Sequence, residues 1–519
     1  MFDLLIAGGR IYDGRGGAPF RADVGIRQDR IAAIGNLDSC ETAERFDASG
    51  MAVTPGWIDV HTHSDWQLIR KPDRKEALCQ GITTEIVGAC GIGLFPLKDS
   101  DYASVMAGIY GSCPDVYGSC SEYLDALPET GTNAAVHLAH SPLRCALCGF
   151  RDEKLPVKKA RELARRAFEE GACALSTGLA YYPASFSDTE EVAELCRIAA
   201  EFDAPICVHQ RTALRENHPL PFDSREEVLE FARRSGVRVH FSHYRTNPRT
   251  AGNLEGLLEV IERGVSEGLR VSADFYPYPV GAGYAAVHLP MRVMEGGFRR
   301  IIERLDDPVW RRWILDVWQR HPEQGPSSGV VLHAPRHPEY LGRSYREIAE
   351  IRKESIPEMV LNLLKEEALE LAFRPEAEIP EETGERLDRD FVELMRHPAF
   401  LFGSDTLPGH AFPHPRSRGA FARLLKLAVR NELPLSEFVR SASARPCELF
   451  GLRGRGVLAE KNFADLCVFR PEEVVDRATF ADPFREAAGM RLVLVNGKIA
   501  VKDGRATGVL AGRAIRRGE

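Results

Sequence analysis

The sequence predicts an α/β protein: a (β/α)8 TIM-like barrel, a small β-sandwich domain formed from both chain termini, and an insertion over the barrel mouth. Three observations carry this. Between residues 56 and 451, short apolar runs alternate with amphipathic stretches of helical period, the pattern of parallel β/α units. The two ends lack that rhythm and string β-like runs between glycine turns. The chain has 519 residues, 44% hydrophobic and 27% charged, enough to bury a barrel-sized core beside a smaller one.

At the N-terminus, DLLIAGGRIYDG and ADVGIRQDRIAAIG lead through a turn to MAVTPG, and near the C-terminus FADLCVFRP precedes RLVLVNGKIAVKDGRATG. These runs are expected to pair into one β-domain of residues 1–55 plus 452–519. In between, WIDVH is followed by KEALCQG, TTEIVGACG by SEYLDAL, AAVHLAHS by VKKARELARRAFEEG, and ACALSTG by DTEEVAELCRIAAEF. PICVHQ then precedes SREEVLEFARRSG, and VRVHFSH precedes NLEGLLEVIERGVSEG. From residue 285 to about residue 400 the rhythm breaks, with PMRVMEGGFRRII, DPVWRRWILDVWQRH and the charged run KEEALELAFRPEAEIPEETGERLDRD. This stretch reads as an insertion over the barrel mouth, a lid, after which FLFGSD resumes the last strand. Trp310, Trp313 and Trp318 follow near-helical spacing, which predicts packing.

Composition excludes several classes. A formal charge of -8 spread over this length leaves no basic face for nucleic acid. No apolar stretch reaches the roughly 18 residues that cross a bilayer. The opening MFDLLIAGGRIYDG has neither a basic n-region nor a small-residue cleavage site, so a cytoplasmic protein acting on a small molecule is expected. The 12 cysteines lie mostly inside apolar or helical stretches and read as reduced, buried thiols. Cys145 and Cys148 form a lone C-x-x-C without a second pair, a weak zinc or redox signal.

Reactive groups of a barrel gather at the carboxyl ends of its strands. In TPGWIDVHTHSD, His61 and His63 are one residue apart, and residues i and i+2 of a strand face the same way. Later strands end in Cys90, His209, His243 and Asp405. Singly these residues carry little weight: buried cysteines are usually inert, Ser-Asp often caps a helix, and His240 beside His243 shows that histidines occur here without a role. Six donors that each close an apolar strand argue for a metal site.

This pattern resembles the amidohydrolase superfamily, and within it the N-acyl-D-amino-acid deacylases (D-aminoacylases). The likeness runs nearly end to end through GWIDVHTHSD, EIVGACG, GACALSTGLAYYP, VRVHFSH, VSADFYPYP, GSD, HPRSRGAF and FADLCVF. It implies a metallo-hydrolase barrel and zinc-dependent hydrolysis of N-acyl-D-amino acids. Where many superfamily members bridge two metals with a carboxylated lysine, the deacylases use a cysteine, which falls on Cys90. Lys71, Lys75, Lys98, Lys154, Lys158 and Lys159, the lysines between His63 and His209, close no apolar strand. The resemblance further implies a tightly held Zn2+ on Cys90, His209 and His243, and a second, weaker position using His61, His63, Cys90 and Asp405. Asp405 would serve as general base, and Arg416 of the HPR motif would hold the substrate carboxylate with Arg245 assisting. Tyr276 and Tyr181 would line the substrate pocket, with Tyr276 also placed to donate a hydrogen bond to the acyl oxygen.

Four positions depart from the family pattern. GACG replaces the usual GNCG, putting Ala89 where an Asn stands. Arg245 replaces the lysine of SHxK. HQRTAL lacks the acid of H-M-R-x-E, leaving Ala213 at that place, and Ala282 replaces a small hydroxyl residue. An amidohydrolase acting on a D-dipeptide or a cyclic amide, as dihydroorotases and hydantoinases do, is the alternative. A metal-free paralogue without catalysis is a further one, and it predicts broken ligands where all six are intact.

Overall fold

The computed structural model describes residues 1–98, 101–211 and 223–519. Eight parallel strands form the barrel: β1 (Trp57–Asp59), β2 (Ile82–Val87), β3 (Asn133–Ala139), β4 (Ala174–Gly178), β5 (Pro205–His209), β6 (Arg238–Phe241), β7 (Val271–Phe275) and β8 (Phe400–Phe402). Each pairs in parallel with the next. The ring closes between β1 and β8: the Val60 N–H donates to the Phe402 carbonyl, the Asp405 N–H to the His61 carbonyl at 2.7 Å, and the His63 N–H to the Thr406 carbonyl at 3.0 Å. Helices cover the outside, started where an acidic or hydroxyl side chain accepts free first-turn N–H groups. Asp188 caps Thr189–Glu201, and Asp223 caps Ser224–Ser235.

Six of these strands and the last carry the apolar runs read from the sequence. β7 does not, because its strand Val-Ser-Ala-Asp-Phe breaks the run with Ser272 and Asp274, two polar residues of one face. The excursion after β7 builds a three-stranded antiparallel sheet from Gly283–Tyr284, Val330–His333 and Ala372–Arg374, with helices packed around it. The expected insertion therefore ends too late. Its final helix, Glu381–Arg396, belongs to the barrel wall: Phe391 stacks on Phe275 of β7, and Asp390 accepts from the Thr246 hydroxyl and the Gly252 N–H. Trp318 is buried and donates to the His288 carbonyl at 2.8 Å, while Trp310 and Trp313 meet edge to face.

Both ends of the chain join one nine-stranded sheet, in which Ala52–Pro55 pairs with Leu466–Phe469. Leu4, Ile6, Val24, Ile26, Val53, Leu466, Val468, Leu492 and Leu494 share its core. Among the described residues, no helix is long and apolar enough to cross a membrane.

Trp57 ties the two units together. It is fully buried, with its ring 5.6 Å from Phe438 and 6.1 Å from Phe421 of the barrel helices and 5.6 Å from Phe469 of the small domain. Trp57→Ala should cost about 3–5 kcal/mol, the usual range for a large aromatic removed from a core. Denaturant unfolding measures this, and a loss under about 1 kcal/mol would show that the junction contributes little.

Candidate metal centre and active site

The six donors expected from the sequence meet at the carboxyl ends of β1, β2, β5, β6 and β8. Cys90 Sγ lies 3.2 Å from His61 Nε2 and 3.5 Å from both His209 Nδ1 and His243 Nε2. His209 Nδ1 and His243 Nε2 are 2.7 Å apart. On the other flank, Asp405 Oδ1 stands 3.5 Å from His61 Nε2 and from His63 Nε2. His61, Cys90 and His243 form one group able to hold a metal ion, and His61, His63 and Asp405 form a second. Cys145 and Cys148 belong to no such group among the described residues.

Local backbone geometry aims these side chains. Cys90, His243 and Asp405 all take positive φ, at 53°, 40° and 50°, a conformation that costs a residue with a Cβ roughly 1–2 kcal/mol. Each turns the chain sharply just past its strand. The Cys90 turn is wedged against β4: a Cβ on Gly91 would stand 2.6 Å from the Gly178 nitrogen, and the Gly91 N–H donates to Ser176 Oγ at 3.1 Å. Beneath the histidine pair, Ser64 Oγ donates to Glu85 at 2.7 Å, and Glu85 is paired with the buried Arg74. The Asp59 carboxylate accepts from the Ser404 N–H at 2.8 Å and so braces the turn that carries Asp405.

Burial sets the protonation states. It pushes the imidazoles of His63, His209 and His243 down, the last to about 4, so they are neutral and able to offer a lone pair. It pushes the Cys90 thiol up, so metal binding there must displace a proton. Burial also works to raise Asp405, but the Arg416 guanidinium beside it prevails and holds the carboxyl well below the usual carboxylate range. One thiol, several neutral imidazoles and one carboxylate in a buried cluster are a borderline-soft donor set. It fits zinc and does not fit a hard cation that asks for oxygen alone. Lys71, Lys75, Lys98, Lys154, Lys158 and Lys159 are all exposed, so none reaches the centre.

A cavity of about 180 Å³ opens onto these groups, lined among others by Ile92, Ile109, Tyr181, Tyr276, Ala282 and Leu407. Tyr181 packs its ring 4.5 Å from His209. Arg416 is fully buried and donates through Nη1 to Asp405 Oδ2 at 2.7 Å, while its Nε and Nη2 have no hydrogen-bond partner among the described residues. Tyr276 is clamped between two guanidinium groups, Arg245 at 4.2 Å and Arg416 at 4.6 Å from its ring centre. Neither Arg245 nor Arg416 lines the cavity directly; both lie behind Tyr276, and Arg416 also behind Asp405. Arg245 Nη2 donates to the Tyr276 hydroxyl at 2.8 Å and its Nη1 to the carbonyls of Thr246 and Pro279. Ala89 is buried beside Cys90, Ala282 lines the cavity, and Ala213 lies outside the described residues. A seventh polar group had no role from the sequence: Asp274 of β7, buried, accepts from His61 Nδ1 at 3.1 Å. Its position in the quoted VSADFYPYP, two residues before Tyr276 on the same strand face, was the available signal.

Barrel and site together define a metal-dependent hydrolase of the amidohydrolase type, and the model of the Amidohydrolase family matches residues 44–204 and 343–501. The chain belongs to that family and, within it, to the N-acyl-D-amino-acid deacylases. It is 33% identical to the D-aminoacylase of Alcaligenes xylosoxydans xylosoxydans over 99% of this chain and 98% of the relative. It is also 33% identical to the N-acyl-D-glutamate deacylase of the same organism, over 95% and 93%. The crystal structure of N-acyl-D-glutamate deacylase from Bordetella bronchiseptica, complexed with zinc and a phosphonate mimic of the tetrahedral intermediate, matches with a TM-score of 0.81 at 30% identity, covering 99% of each chain.

Zinc bound at this centre should depend on the single thiolate. Purified wild-type protein is expected to carry zinc, and Cys90→Ala to lose most of it, as read by elemental analysis. Equal metal content in the two would remove Cys90 from the centre.

Proposed function

We propose that this protein is a cytoplasmic, zinc-dependent deacylase that hydrolyses the amide bond of N-acyl-D-amino acids to a carboxylate and a free D-amino acid. The observation that carries this reading is Arg416. A fully buried guanidinium with two nitrogens unpaired among the described residues is costly unless an anion completes it, and a substrate α-carboxylate is such an anion. A cyclic amide without a free carboxylate leaves both nitrogens unsatisfied. The D configuration follows the substrates for which the relatives are named.

Zinc, when bound, supplies a Lewis acid that brings the pKa of a coordinated water to about 7 and polarises the scissile carbonyl. The protein's own groups do the rest. Asp405, held ionised by Arg416, takes the proton of the attacking water as the new C–O bond forms. It returns that proton to the amide nitrogen as the C–N bond breaks, so the amine leaves neutral. Tyr276 accepts a hydrogen bond from Arg245, which leaves its own O–H free to donate into the cavity toward the oxygen that gains charge. Ile92, Ile109 and Leu407 give the remaining wall an apolar face.

A panel of N-acetyl-D- and N-acetyl-L-amino acids with the zinc-loaded protein tests the reading through release of free amine. D-substrates should turn over and their L-enantiomers should not; turnover of neither would reject it. Asp405→Asn keeps the shape but cannot accept the proton, and should lower kcat by about 10²–10⁴-fold with zinc retained. A variant keeping most of its kcat would point to another base. Wild type should favour a free acid over its α-amide by about tenfold or more, and Arg416→Lys should shrink that preference. Because Arg416 also touches Asp405, the ratio between the two substrates is the informative quantity. An unchanged ratio would make Arg416 a support for Asp405 alone.

A further inference from the structure

We propose that Asp274 is the positioning residue of the metal centre: from β7 it fixes which nitrogen of His61 faces the metal, and it holds the turn that carries His243. The inference rests on the zinc reading above and adds a residue that takes no part in binding substrate or metal. Three donors from two other strands converge on this one carboxylate. Oδ2 accepts from His61 Nδ1 at 3.1 Å and from His240 Nε2 at 3.0 Å, and Oδ1 accepts from the backbone N–H of His243 at 2.8 Å. Asp274 and His240 are both buried.

The chemistry follows from the tautomers. A neutral imidazole carries one N–H and one lone pair, so a hydrogen bond from Nδ1 to a carboxylate puts the lone pair of His61 on Nε2. That is the atom 3.2 Å from Cys90 Sγ and 3.5 Å from Asp405 Oδ1, and His61 is the one residue common to both groups able to hold a metal. His243 takes a positive φ of 40°, and its N–H is the one that Asp274 holds. Behind the carboxylate, His240 Nδ1 lies 2.8 Å from Ser272 Oγ. With Nε2–H given to Asp274, Nδ1 accepts from that hydroxyl, and every member of the relay Ser272–His240–Asp274–His61 has a partner. The alternation of β7 places Ser272 and Asp274 on one face, which is why the strand gives up its apolar run.

An asparagine at this place has one accepting and one donating face, so it must set its NH2 against an N–H donor, either the histidine pair or the His243 backbone. Second-layer partners of this kind typically change metal affinity by about 10–100-fold. The experiment is zinc affinity by competition with a chromophoric chelator, with the unfolding temperature as a control for the fold. Asp274→Asn should remain folded and weaken zinc binding by about 10–100-fold. His240→Leu, which leaves Asp274 in place but removes one donor, should weaken it by at least about threefold, and His240→Gln, which offers an N–H at the position of Nε2, should restore it. Should Asp274→Asn fail to fold, the His240 pair decides alone. Wild-type affinity in Asp274→Asn, or in His240→Leu, overturns the inference, as does a His240→Gln variant no better than His240→Leu. If wild type itself binds no zinc, the underlying zinc reading fails instead.

Discussion

The site depends on the closing of the barrel. β1 and β8 lie at opposite ends of the barrel sequence, and the hydrogen bonds from the Asp405 N–H to the His61 carbonyl and from the His63 N–H to the Thr406 carbonyl join them just where the two strands give out. Those bonds put the histidine pair and Asp405 within 3.5 Å of one another. Asp59 reinforces the seam from below by accepting from Ser404, and its burial pushes its carboxyl up to about 7 despite those hydrogen bonds. A sheet left open at this edge would still present Cys90, His209 and His243 together, but would lose the Asp405 carboxylate from the cluster.

Closure also explains the electrostatics. With the donors packed into the barrel mouth, desolvation holds the imidazoles of His63, His209 and His243 down, and the buried Arg416 is the largest influence opposing desolvation at Asp405. One nitrogen of that guanidinium holds the Asp405 carboxylate, and two others have no hydrogen-bond partner among the described residues. Arg245 supports this arrangement at one remove by stacking on Tyr276 and donating to its hydroxyl. The positive φ values at Cys90, His243 and Asp405 are the strain the fold accepts to aim these groups.

Much of this was legible in the sequence because strand-end chemistry is local. An apolar run followed by His, Cys or Asp announces both a strand and what it delivers, and all six donors were visible in that way. β7 was not, because its inward face carries Ser272 and Asp274 to serve His240 and His61, and polar residues in a strand erase the pattern by which strands are recognised. The charged helix Glu381–Arg396 looked like surface insertion for a related reason: its outer face is solvated, and only its contacts with β7 show it to be barrel wall. The pairing of Arg416 with Asp405, and the contact of Arg245 with Tyr276, are three-dimensional facts with no trace in residue spacing.

The central claim is that one thiolate and a set of imidazoles from separate barrel strands share a zinc ion. X-ray absorption at the zinc edge, on protein holding one equivalent of zinc, tests it most directly. The expected spectrum shows a single sulfur at about 2.3 Å together with imidazole nitrogens at about 2.0–2.1 Å. A spectrum with nitrogen and oxygen alone, or with more than one sulfur, would contradict it.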